Sequence, residues 1–189
     1  MKKILILLIL LWSSACLAGS GGYYYAGQTV AGGGGGCESC NSGNDGYVAE
    51  NPNVANTVTG NSLGYAWEFT IGSEQCITGV EFEADDNGGS VTITCEIWSD
   101  SSGPNEIVGA GYTGSVAVPD TAETKAEALF AATQTLSAGT YYAYCQPDGE
   151  VDWANDDDGV GTYYYTANGG TSFSSSSSRR IISVLGCAP

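Results

Sequence analysis

The sequence predicts an all-β protein, an antiparallel sandwich with disulfides behind a flexible Gly-rich N-terminal arm. Two observations predict it. From Tyr47 onward, short segments alternate apolar and polar residues and are separated by Gly, Asn, Asp and Ser clusters, the pattern of half-buried strands and their turns. The chain also opens like an exported protein, and six cysteines follow that opening, an even number that in an oxidising compartment implies a disulfide framework.

Residues 1–18 read as a signal peptide: Lys2 and Lys3, an apolar run from Ile4 to Trp12, then the small-residue stretch Ser13 to Ala18. The run is shorter than the roughly 20 residues a membrane-spanning helix needs. Cleavage after Ala18 would leave Gly19 first. The alternative is lipid attachment at Cys16, because Ala15-Cys16 resembles the end of a lipobox, although Ser13 stands where Leu is usual. Residues 19–46 are dominated by Gly, Ser and Asn around a Tyr23-Tyr24-Tyr25 cluster and form the arm, since they lack the apolar periodicity that could offset their ordering entropy. Residues 47–189 form the sandwich domain.

Within that domain Ala66–Ile71 alternates Trp67, Phe69 and Ile71 against Ala66, Glu68 and Thr70, and Ile77–Ala84 alternates Val80, Phe82 and Ala84 against Glu81 and Glu83. Residues 85–89 make a turn before a third strand, Val91–Trp98. A turn over 101–105 leads to a strand at 106–112. Residues 121–132 favour helix by propensity, but context makes the second half a strand. Thr140–Cys145, Thr162–Thr166 and Arg180–Leu185 complete the set.

The cysteines follow this parity. Cys95 shares a face with Val91, Ile93 and Ile97, and Cys145 with Tyr141 and Ala143, so the two pair through one core. Cys76 opens a strand and Cys187 closes the last, so they meet if those strands are antiparallel neighbours. Cys37 and Cys40 pair with each other or with another chain. Their C-x-x-C lacks both the strand–helix context of a redox site and the second C-x-x-C of a zinc ribbon.

Charge narrows the function. The chain has 5 Lys+Arg, 21 Asp+Glu and no His. Without histidine, Ser-His-Asp and Cys-His catalysis and His-ligated zinc are excluded. Removing residues 1–18 takes two cations with it, leaving three against 21 acids and a net charge of −18. Such a surface does not bind nucleic acid or anionic lipid through phosphate.

Flat aromatic faces bind sugar rings, and Trp98, Trp153, Tyr163, Tyr164 and Tyr165 are the candidates, although packing is the commoner fate of each alone. Asp152, Asp156, Asp157 and Asp158 are the candidate metal ligands. With Asn155 they crowd hard oxygens into one acidic loop around Trp153, and calcium is the cofactor they suggest. The loop lacks EF-hand spacing, and a solvated acidic turn is the commoner source of such a cluster. Asp85, Asp86 and Asn87 are a second acidic group that also makes a good turn. Glu81, Glu83 and Asp85 share a strand face, as glycosidase carboxylates do, but their spacing does not match that chemistry and a water-facing strand gives the same pattern.

The order of motifs is also familiar. Phe69 leading into Ile77-Thr78-Gly79-Val80, then Val91-Thr92-Ile93, Ile97-Trp98-Ser99-Asp100 with Gly103-Pro104, Leu136 to Tyr142, and Asn168 to Phe173 resembles a group of secreted bacterial accessory domains. These are jelly-roll β-sandwiches of the carbohydrate-binding-module type, and the resemblance covers about residues 60–187. It implies a jelly-roll-type sandwich and a non-catalytic extracellular binding or adhesion module for a glycan or cell-surface polymer, with no enzyme activity. The alternative is a structural subunit of an extracellular fibre or surface layer, its partners being copies of itself joined through the arm and open sheet edges.

Overall fold

In the computed structural model the described residues are 47–50, 55–86, 88–99, 103–120, 124–156, 161–177 and 179–187. The signal, the arm, Cys16, Cys37 and Cys40 lie outside them. The strands are β1 (Tyr47–Ala49), β2 (Ala55–Asn61), β3 (Gly64–Ile71), β4 (Gln75–Asp85), β5 (Thr92–Ser99), β6 (Glu106–Ile107), β7 (Thr113–Ala117), β8 (Lys125–Leu136), β9 (Gly139–Pro147), β10 (Val151–Asp156), β11 (Tyr163–Thr166), β12 (Ser174–Ser176) and β13 (Ile182–Gly186). Every pairing is antiparallel, and the order β1-β13-β4-β8-β7-β5-β9-β3-β11-β12 curls into a sandwich, with β2 and β10 extending from β4.

One layer is β13, β4 and β8, and the other is β5, β9, β3 and β11. Between them lies the main core, where the predicted alternation holds: Val80, Phe82, Ile93, Cys95, Ile97, Ala143 and Cys145 are all fully buried. Each large aliphatic or aromatic side chain there contributes about 1.5–3 kcal/mol by leaving water. The layers join at a corner where Gly114 of β7 pairs with Phe130 of β8. A Cβ on Gly114 would lie 2.6 Å from the Ala128 carbonyl oxygen, so the close approach of the two backbones requires glycine.

Cys95 and Cys145 face each other in register on β5 and β9 and form a fully buried disulfide. Cys76 and Cys187 are also oxidised. As expected, they lie side by side at the ends of antiparallel β4 and β13, where Cys187 N–H donates to the Cys76 carbonyl at 3.1 Å.

The strand expected over the second half of 121–132 is present and runs longer, and two other segments differ from expectation. Residues 125–136 form a twelve-residue strand despite their helical propensity, because register with β4 buries Ala126, Ala128 and Phe130. The strand expected at 106–112 stops after Ile107 and becomes a 3₁₀ turn at Ala110–Tyr112, closed by Tyr112 N–H to the Gly109 carbonyl. Tyr112 then packs on Phe130. Finally, Val151–Asp156 is a strand inserted between β2 and β4, not a loop.

Glu81 and Glu83 do not face open water. They are 7% and 8% exposed, and Glu81 accepts from Lys125 Nζ at 2.9 Å and from the Tyr47 hydroxyl at 2.7 Å. Burial works against the Lys125 ammonium, but the hydrogen bond and charge of Glu81 outweigh it and hold its pKa above the ordinary value.

Candidate functional site

The outward face of β5, β9, β3 and β11 carries a second, smaller aromatic layer. Register sets its rows: Glu96, Tyr144, Ala66 and Tyr164 lie side by side, next to a row of Trp98, Tyr142 and Glu68. Ala66 is the small member and is fully buried within this layer. Trp98 meets Tyr144 at 5.2 Å and Phe173 at 5.5 Å between centroids, Tyr144 meets Phe173 at 5.3 Å, and Tyr142 meets Tyr164 at 5.6 Å, all edge to face.

Polar partners fix the layer at its margin. Trp98 Nε1–H donates to Glu96 at 2.7 Å, the Tyr142 hydroxyl to Glu68 at 3.2 Å and the Tyr144 hydroxyl to Gln146 at 2.7 Å. Burial, reinforced by the Glu96 charge, pushes the Tyr144 phenol well above its usual pKa. The folded state therefore keeps a proton that the unfolded chain releases near pH 10, so stability is intact below that pH and falls as pH rises past it. Alkaline denaturation followed by tyrosinate absorbance is expected to show this loss, with a shallower slope in Tyr144→Phe.

Two loops reach over this layer. One, at 103–105, follows β5. The other, at 167–173, joins β11 to β12 and is held by its own hydrogen bonds. Asn168 Oδ1 accepts from Thr166 Oγ1 and Ser172 N–H, Asn168 Nδ2 donates to Ser172 Oγ, Thr171 Oγ1 donates to the Asn168 carbonyl, and Gly170 N–H donates to Thr166 Oγ1. Gly170 has φ +85°, and a Cβ there would lie 2.9 Å from the Trp98 ring. Gly170→Ala is thus expected to cost roughly 1–3 kcal/mol and to shift Trp98 fluorescence as the loop lifts, readable in one denaturation series.

Between the loops runs a groove of about 370 Å³ lined by Gly103, Pro104, Asn105, Tyr164, Gly170, Thr171, Ser172 and Phe173. It combines two half-buried aromatic rings with small polar side chains and backbone, and among the described residues none that lines it is a carboxylate or cation. Its chemistry suits a flat-faced polar molecule held without ions.

The groove gathers only some of the predicted aromatics. Tyr164 lines it and Trp98 supports it from beneath. Alternation along β11 turns Tyr163 inward, 2% exposed opposite Trp67, and leaves Tyr165 exposed in register with Tyr65. Trp153 is a correction: it is fully buried and packs edge-on against Tyr65 and Phe82, so it offers no face to a ligand. Phe173, Asn105 and Thr171 line the groove beyond the residues that the sequence suggests. The Gly103-Pro104 and Asn168-to-Phe173 phrases that carry the family resemblance contain or adjoin them.

The acidic loop of 152–158 lies only in part within the described residues. Asp152 on β10 lies in register with Asp85 on β4, while Asp157, Asp158 and the Asp156 side chain lie outside the described residues. Asp85, Asp86 and Asp120 bring carboxylate oxygens within 4.8 Å of one another. Asp86 Oδ1 accepts from Gly88 N–H, so the turn itself uses this carboxylate. No helix among the described residues is long and apolar enough to cross a membrane. No protein-family model matches the sequence, and no curated protein matches it.

Proposed function

We propose that the protein is a non-catalytic extracellular binding module that takes a glycan in the groove between the 103–105 and 167–173 loops. One observation carries this reading: Tyr164 and Phe173 stand beside Asn105, Thr171 and Ser172 in an open groove whose outer wall is fixed in advance by its own hydrogen bonds. A pre-ordered wall lowers the entropy cost of binding, and rings beside hydroxyl and amide groups match the two kinds of surface on a sugar. Glu81 and Glu83 lie in the other layer, buried and away from this groove, which favours binding over hydrolysis.

A glycan array, run in calcium and again in EGTA, is the test. Retention on specific glycans is expected, falling about tenfold in Tyr164→Ala and also falling in Asn105→Ala, whose exposed side chain can be removed without disturbing the fold. The calcium and EGTA arms report whether the ion takes part. Retention that ignores both substitutions would place the ligand elsewhere.

A second reading, a self-assembling subunit, is favoured by the open edges. Among the described residues, β1, β2 and β12 each pair on one side only. A concentration-dependent ladder on a non-reducing gel would support it.

A further inference from the structure

We infer that the groove selects uncharged sugars and rejects acidic ones, an inference that rests on the glycan-binding reading above. Sulfate, phosphate and uronate are held in proteins by Arg, Lys or clustered N–H donors. Among the described residues the groove lining includes no Arg or Lys. Beyond the N-terminal 18 residues the chain has three cations, Lys125, Arg179 and Arg180. Lys125 is engaged by Glu81 in the opposite layer. Arg180 is 2% exposed, with its guanidinium 4.3 Å over the Tyr65 ring and Nη2 donating to the Tyr65 hydroxyl.

Carboxylates stand behind the groove instead. Glu96 holds Trp98 and Glu68 holds Tyr142, both within the aromatic layer that carries Tyr164 and Phe173. Their charge, added to that of a strongly acidic chain, makes the local potential negative. A neutral ring gains from Tyr164 and Phe173 without opposing that field, whereas a uronate meets the like charge of Glu96 and Glu68. The specificity thus comes from repulsion as much as from contact.

The test uses glycan pairs that differ in the acid group alone: glucan against its uronate, mannan against mannuronate, galactan against galacturonan. Each is measured by isothermal titration at 20 mM and 500 mM NaCl. The inference expects a neutral member to bind, with its acidic partner at least tenfold weaker at low salt and the gap narrowing at high salt as charges are screened. It also expects Asn105→Lys, a cation placed on the exposed wall, to raise affinity for the acidic partner at least fivefold at low salt. Acidic members that bind as well as neutral ones would overturn this inference and leave the glycan reading intact. A full panel with no binding at either salt would overturn both.

Discussion

Trp153→Ala is expected to lower the unfolding free energy by about 3–5 kcal/mol, a large share of the roughly 5–15 kcal/mol that a domain of this kind has in total. The ring is fully buried between Tyr65 and Phe82 and sits on β10, the strand that links β2 to β4. Truncation opens a cavity where sheet pairing and core packing meet. Trp153→Phe should cost much less, because it keeps an aromatic ring and removes the indole N–H, which is buried without a hydrogen-bond partner among the described residues. Urea denaturation of the two variants checks this. If Trp153 were instead a sugar-binding platform, Trp153→Ala would keep wild-type stability and lose only binding.

The second large effect concerns the Cys95–Cys145 disulfide. Its cysteines are 50 residues apart in sequence, and a loop of that size corresponds to about 4 kcal/mol in the chain-entropy treatment. The double substitution Cys95→Ala with Cys145→Ala is expected to lower Tm by roughly 10 °C or more. Replacing both residues avoids leaving a lone thiol to exchange with the other cysteines. Equal melting temperatures for the variant and the parent would mean that β5 and β9 hold their register without the bond.

What the sequence revealed depended on where its alternation was clean. In β4 and β5, Val80–Phe82–Ala84 and Ile93–Cys95–Ile97 repeat every second residue, so strand, face and disulfide partner all followed. The same period is present in Val151-Asp152-Trp153, but the surrounding aspartates suggested a loop; pairing on both sides of β10 decided otherwise. In β8 helical propensity competed with the strand, so only the second half of 121–132 was legible as one, and register with β4 extends it to 125–136.

The site was less legible, because it is made by topology. Parity assigned Trp98 to an outer face or a second core, and three consecutive tyrosines could not reveal that only the middle one reaches the groove. Asn105 and Phe173 are far apart in sequence and meet only because β5, β9, β3 and β11 lie in that order. The visible signal was the pair of glycine-marked turns, Gly103-Pro104 and Asn168-Gly169-Gly170.

The central claim, that the groove over the outer aromatic layer is where this protein meets its ligand, is tested most directly by amide chemical-shift mapping during titration with neutral hexaoses built from glucose, xylose and mannose. Shifts confined to Asn105, Tyr164 and residues 170–173 are the predicted result. Shifts gathered along β2 or β12 with the groove unmoved would contradict it.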